Sequence, residues 1–342
     1  MGTYTQRRPD NGHVHLRDLN LETGELLRFM VPYTARQFGR AVCMGNTKPP
    51  TETAASAAGY KEQILGFAKE AGCLNFEPVV TLFLTERTTP LHILEAHAAG
   101  IVVAKHIPDG VSTNSDNGLA DLLTKKNVLA TMRDVGMILS VHPEKPGVFC
   151  LDREEAYLPT IAETIRLFPR LRIVVEHLTT KAGVEFVVEA PENVAGTITA
   201  HHLCMTLDDL ISGGCQPHNV CAPCAKRPSD REALWSAIGS GNPKFFFVSD
   251  SAPHMRELKE CAKGKLGTFT EPFVMPLLVQ KFEKRGLLHR LEAFTSEFWA
   301  RFYGFSLNED TITLKREPWQ IPASYHGVVP FMAGEMLGWQ LA

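Results

Sequence analysis

Eight short apolar runs, each followed by a longer segment of helical character, constrain this 342-residue chain more than any other feature. The first ends at His15, and the others cover 39–44, 78–84, 100–104, 136–141, 171–176, 195–200 and 244–249. They are too short for ordinary helices. They are continuously apolar rather than alternating, as strands covered on both faces are. The intervening segments read as helices. One covers 51–72, Ala-rich, with Ile64, Leu65 and Phe67 on its apolar stripe, and another covers 91–99. One opens at Asp152 with Glu155 three residues on, and one opens at Ser229 with Glu232 and closes near Gly239. Two more, 273–284 and 291–302, follow the last run, and 303–342 reads as an irregular tail. Strands joined by crossovers predict an α/β fold, a parallel sheet closed into a (β/α)8 barrel of the TIM type. No repeat, low-complexity tract or linker divides the chain, so one barrel domain over 1–342 is expected.

The polar residues fall at the ends of these runs. Seven of the eight lead into a side chain able to do chemistry: His15, Asn46, Lys105, His142, His177, the His201/His202 pair and Asp250. A parallel barrel carries its active site at the C-terminal ends of its strands, so these residues should meet at one rim. His92, His97, His289 and His326 lie in helical or tail segments and read as structural or solvent-facing. Within 10–18, His13 and His15 are two residues apart and share one face of a strand, with Arg17 in the same parity. Taken alone, that pair reads equally as metal ligands or as surface histidines.

His13, His15, His142, His177 and Asp250 supply four imidazoles and a carboxylate. That exceeds the three protein ligands of a catalytic zinc, and two metals sharing an anionic bridge fit the count better. As an ammonium, Lys105 repels cations. It can serve only as a neutral amine or, after carboxylation by CO₂, as a carbamate. The alternative is a buried cation paired with an acid such as Asp250, and spacing leaves both open. Just beyond Lys105, residues 108–118 have almost nothing apolar to bury and read as a mobile loop.

Composition excludes other classes. With 35 basic and 38 acidic residues, the formal charge of −3 gives no electrostatic case for nucleic acid or anionic membrane. No apolar run approaches the roughly 20 residues that span a bilayer, and the polar first nine residues lack a signal region, so a cytoplasmic location is expected. The eight scattered cysteines read as reduced, mostly buried thiols. Cys221 and Cys224 have zinc-knuckle or redox spacing, but no second pair follows.

The residue set resembles the amidohydrolase superfamily: His-x-His on the first strand, Lys on the fourth, His on the fifth and sixth, Asp on the eighth. More narrowly it resembles the single-function, bacterial-type dihydroorotases. The matching stretches are Arg8-Pro9-Asp10 with His13-Val14-His15-Leu16-Arg17-Asp18, Gly45-Asn46-Thr47-Lys48-Pro49-Pro50, Ala104-Lys105, and Glu176-His177-Leu178-Thr179-Thr180. Ser249-Asp250-Ser251-Ala252-Pro253-His254 and Val329-Pro330-Phe331-Met332-Ala333-Gly334-Glu335 complete them.

The resemblance implies reversible ring closure of N-carbamoyl-L-aspartate to L-dihydroorotate, in pyrimidine synthesis, by a homodimer with two zinc ions per subunit. It implies that His13, His15 and Asp250 hold one zinc and His142 and His177 the other. Carboxylated Lys105 and a hydroxide would bridge them, with Asp250 as general acid and base. Arg17, Asn46 and His254 match the residues that grip the substrate carboxylate. Ala222 and Leu266 match those offering backbone contacts, and Ser112 and Thr113 match the hydroxyl pair of a flexible lid. Pro143 after His142, Ser112 and Ala222 depart from the usual Gly, Thr and larger aliphatic. Other cyclic-amide hydrolases of the hydantoinase or allantoinase type would not need the carboxylate grip. An inactive scaffold would have lost ligands that this chain keeps.

Overall fold

The computed structural model describes residues 2–19 and 25–342, which leaves Met1 of the polar N-terminal stretch outside the described residues. Its strands are β1 (Thr3–Arg7), β2 (Asp10–Val14), β3 (Arg40–Cys43), β4 (Glu77–Val80), β5 (Leu82–Phe83), β6 (Val103–His106), β7 (Ile138–Val141), β8 (Ile173–Val175), β9 (Val194–Thr199), β10 (Phe245–Val248), β11 (Thr311–Gln320) and β12 (Met336–Leu341). β2, β3 and β4 pair in parallel, and so do β5 through β10 in sequence order. β4 and β5 are halves of one strand interrupted at Thr81, and they join the two sheets. The ring closes where Asp250 N donates to His13 O (2.9 Å), His15 N donates to Ser251 O (3.0 Å), and Val14 bridges Ser251 in parallel. The result is the expected (β/α)8 barrel.

Inside the barrel, strand alternation sets two levels. Val42, Val79, Val103, Ile138, Val174, Ala195 and Phe246 form a buried layer with Trp299, Ala300 and Tyr303, which plug the floor. β2 contributes Gly12 there, because a Cβ would stand 2.9 Å from the Trp299 ring. Counting upward by twos from this layer gives Lys105, Ser140, His142, Glu176, Thr197, Thr199, His201 and Asp250. The apolar floor and the polar rim therefore follow from one parity. Below the rim, Asp10 holds Arg40 through both carboxylate oxygens (2.9 and 3.0 Å), fully buried, and the guanidinium also lies over Trp299 and Phe305. This pair clamps β2 to β3, and removing one partner of such a pair costs about 3–5 kcal/mol.

Several local expectations need correction. The tail is not irregular, since β11 and β12 form an antiparallel sheet with β1 outside the barrel. β11 carries charged and aromatic residues without a clean period of two, so its pairing was not visible locally. In helix Ala54–Glu70 the buried positions are Ala57, Tyr60, Ile64 and Ala68, and Leu65 faces solvent, because adjacent residues cannot share one stripe. Asp152 makes no side-chain cap on helix Arg153–Leu167. The Ser229 cap is also absent: helix Pro228–Ser240 starts on Pro228, Asp230 accepts from Arg227 N (3.1 Å), and Gly241 ends it in left-handed geometry. Helices Leu26–Gln37, Lys126–Val135 and Lys181–Glu189 add further crossovers. No helix among the described residues is long and apolar enough to cross a membrane.

Candidate active site

At the rim, His13 and His15 lean toward each other with Nε2 atoms 3.3 Å apart, and each Nε2 lies 3.3 Å from Asp250 Oδ1. His142 Nδ1 and His177 Nε2 lie 3.1 Å apart. The His13 ring is next to that of His177, at 5.3 Å between centroids, so the four imidazoles make one continuous string. Burial holds His13 down at about 4 and puts His15 and His177 well below the usual histidine range, so these rings are neutral at pH 7. Ring nitrogens gathered this closely can share a cation in place of a proton. A cation with bonds of about 2.0–2.1 Å would place its ligand nitrogens about 3.0–3.4 Å apart. Both groups fit that spacing and that chemistry.

Lys105, on β6, is fully buried, and its Nζ has no hydrogen-bond partner among the described residues. Burial lowers its ammonium to about 8, although Glu176 and Asp250 oppose the shift. An amine this easily deprotonated is open to carboxylation by CO₂, and a carbamate would turn the orphaned nitrogen into an anionic ligand group. The sequence left that choice open; here Nζ makes no hydrogen bond among the described residues, with Glu176 and Asp250 as its nearby charges. Burial raises Asp250 above the ordinary carboxylate range, against the pull of His13 and Lys105. Three rim residues, Arg17 (φ 67°), His177 (φ 38°) and Asp250 (φ 41°), occupy left-handed backbone that side chains rarely adopt. His177 falls one residue outside the strand alternation, and β8 ends at Val175, so its ring reaches the rim by leaving strand geometry.

Two buried carboxylates support the histidines, and neither was singled out from the sequence. Glu176 Oε2 lies 3.3 Å from His13 Nδ1, while Ser140 Oγ (2.5 Å) and Thr197 Oγ1 (2.8 Å) donate to its two oxygens. Burial alone would raise Glu176, but His13 and Lys105 outweigh it and hold the carboxyl at about 2. The ionised group orients the His13 ring and leaves Nε2 for a metal. Glu144 Oε2 lies 2.9 Å from His142 Nε2, which leaves Nδ1 facing His177. Pro143 turns the chain between them, and Glu144 N donates to His142 O (3.0 Å). An acid directly before His177 and another two residues after His142 were the available signals. Glu176→Gln should weaken divalent-cation affinity about 10- to 100-fold, measured by chelator competition. Unchanged competition would remove Glu176 from this role.

The other sequence-predicted residues line one cleft beside these ligands. Arg17, Asn46, Ser112, Thr113, Ala222 and Leu266 share it with His15 and Asp250. Arg17 Nη2 lies 2.9 Å from His254 Nε2, and Arg17 Nε donates to Pro253 O (2.9 Å). Burial lowers Arg17 only to about 10, so it stays charged. Burial and Arg17 together push His254 well down, so it is neutral. Asn46 Nδ2 donates to Thr113 O (3.0 Å), Asn114 Nδ2 donates to Asn46 O (3.2 Å), and Thr113 Oγ1 donates to Leu266 O (3.2 Å). The 108–118 loop thus reaches across the cleft. Gly45 precedes Asn46 because a Cβ there would stand 1.8 Å from Thr51 Oγ1. His201 and His202 also reach the rim, but neither belongs to the string of four imidazoles.

No family model matches the chain. It is 44% identical over 349 residues to the dihydroorotase of Shewanella denitrificans, covering 100% of this chain and 99% of that one. Its backbone matches the crystal structure of Campylobacter jejuni dihydroorotase (TM-score 0.89, 37% identity, 99% and 97% of the two chains). It also matches Saccharomyces cerevisiae dihydroorotase solved with 5-fluoroorotic acid (TM-score 0.91, 30% identity, 100% and 99%).

Proposed function

This chain belongs to the dihydroorotase family of amidohydrolases, and we propose that it interconverts N-carbamoyl-L-aspartate and L-dihydroorotate, a step of pyrimidine synthesis. The observation that carries this reading is one cleft lined by a buried guanidinium, Arg17, together with His15 and Asp250, behind which His13 joins the same donor group. His13, His15 and Asp250 would hold one zinc ion and His142 and His177 a second, with carboxylated Lys105 serving both. Bound there, the metals supply Lewis acidity to the ring amide and lower the pKa of water.

The chain's own groups do the rest. Arg17, with its fork of N–H donors, binds the substrate carboxylate alongside Asn46 and neutral His254. That grip turns the ring amide toward Asp250. In the hydrolytic direction Asp250 Oδ takes a proton from the attacking water and hands it to the departing ring nitrogen, and ring closure reverses the transfer. Its raised affinity for a proton, caused by burial, suits a group that must both accept and release one. Backbone groups at Ala222 and Leu266 meet the ring edge, and Ser112 and Thr113 close the loop over it and exclude water.

Turnover by the purified protein of dihydroorotate, hydantoin and allantoin tests the reading. Hydrolysis of hydantoin without dihydroorotate would overturn it. Arg17→Lys should raise KM for dihydroorotate about 10- to 100-fold, the worth of a charge-assisted bond of about 1.5–3 kcal/mol, with a smaller change in kcat. An unchanged KM would take Arg17 out of the carboxylate grip.

A further inference from the structure

At the edge of the cleft, where Cys221 shares the lining with Ala222, lies a second set of donors that the proposed reaction does not use. β9 runs into His201 and His202, and the 221–223 turn packs against them. One donor atom from each of His201, His202 and Cys221 lies within 4.8 Å of the others, all three residues being buried. Cys221 Sγ is 3.5 Å from His202 Nε2 and 3.2 Å from Pro223 O, and His202 Nε2 is 3.1 Å from Pro223 O. Bonds of about 2.3 Å to sulfur and about 2.0–2.1 Å to nitrogen put the corners of a zinc tetrahedron about 3.5 Å apart. His201 is the telling residue. It is fully buried, shares the inward parity of Thr197 and Thr199, and has no hydrogen-bond partner among the described residues on either ring nitrogen. A buried imidazole with both nitrogens unsatisfied is costly unless something binds it.

We propose that His201, His202 and Cys221 form a third cation site, separate from the catalytic ligands, that takes a thiophilic divalent metal such as zinc. On binding, the Cys221 S–H bond breaks, a sulfur–metal bond forms, and the proton leaves to solvent. Without a metal the thiol stays protonated, because burial pushes it up to about 12. Thr199 Oγ1, 2.8 Å from His202 Nδ1, steadies that ring so that Nε2 faces the site. The Pro223 carbonyl closes the coordination. The site ties the 221–223 turn, whose Ala222 lines the cleft, to the end of β9, so it acts as a structural pin. The inference rests on His201 and Cys221, and it stands or falls independently of the reaction proposed above.

The test is zinc-edge X-ray absorption and zinc content of the full-length protein, equilibrated with excess zinc and desalted, alongside Cys221→Ser and His201→Gln. The wild type should show a sulfur shell at about 2.3 Å, each variant should hold about one zinc fewer per chain, and the shell should vanish in Cys221→Ser. The proposed catalytic ligands are all nitrogen and oxygen and cannot produce that shell. A wild-type spectrum with nitrogen and oxygen scatterers only, or a sulfur shell that persists undiminished in both variants, would overturn the proposal.

Discussion

Lys105→Ala is expected to lose metal and activity together, and small carboxylic acids such as acetate are expected to restore part of both. The physical basis is the isolation of Lys105: it is fully buried, Nζ has no partner, and burial lowers its ammonium to about 8. An unpaired ammonium in that position costs several kcal/mol and would repel the cations that the surrounding imidazoles are arranged to hold. A carbamate reverses the sign and supplies two oxygens. Alanine deletes the group and leaves space at the same point, into which a free carboxylate can diffuse. The activity loss should exceed the about 10- to 100-fold that follows when only a supporting group behind a ligand is removed. Metal content by atomic emission, and turnover with and without added acetate, check it. Near-wild-type activity in the variant without acetate would refute the carbamate role. If Lys105 were simply a cation balancing Glu176 and Asp250, Lys105→Ala would keep its metal and show no rescue.

Asp250→Asn should lower kcat about 10²- to 10⁴-fold while KM for dihydroorotate moves only a few-fold. The substitution keeps the shape and removes the proton carrier. Folding should survive it, since asparagine tolerates the left-handed backbone at φ 41° and the Asp250 N to His13 O bond of the barrel seam is untouched. Arg17, Asn46 and His254 still grip the carboxylate, which is why binding should persist. The pH profile adds a separate check. The wild type should lose hydrolytic rate as pH falls, because Asp250 must be ionised to accept a proton, and that acid limb should flatten in the variant. Metal content measured in parallel separates loss of a ligand from loss of the proton carrier. A kcat within tenfold of wild type would remove Asp250 from proton transfer.

Much of the site was readable from the strand ends. His15, Asn46, Lys105, His142, His177 and Asp250 close or follow their apolar runs, and a parallel barrel carries such positions to one rim. Counting by twos from the floor layer also points Glu176 and His201 inward, yet neither was assigned a role from the sequence. Glu176 was passed over because an acid next to a ligand histidine looks like part of the motif rather than a group with its own work. Glu144 shares the parity of His142 but lies beyond the end of β7 at Val141, so its place depends on the turn at Pro143 rather than on strand alternation.

The helix starts show the limit of local signals. Asp152 and Ser229 have the right residue types at the right spacing; helix Arg153–Leu167 does open at Asp152, but neither side chain caps its helix. Pro228 at the first helical position prevails over the Ser229 cap because its φ is already set.

By itself, the sequence determined the alternation of strands and crossovers, the residues at the strand ends and therefore the shared rim, because side-chain direction along a strand is a local property with a period of two. Only the tertiary structure decided which nitrogens face one another, which carboxylates stand behind them, and that Lys105 has no partner. It also decided that β11 pairs with β1, about 300 residues away in sequence, and that β12 pairs with β11. Those outcomes depend on contacts between distant segments and on the burial those contacts create. Burial is what makes His13, His15 and His177 neutral, Lys105 easily deprotonated and Asp250 ready to hold a proton, and no local pattern encodes it.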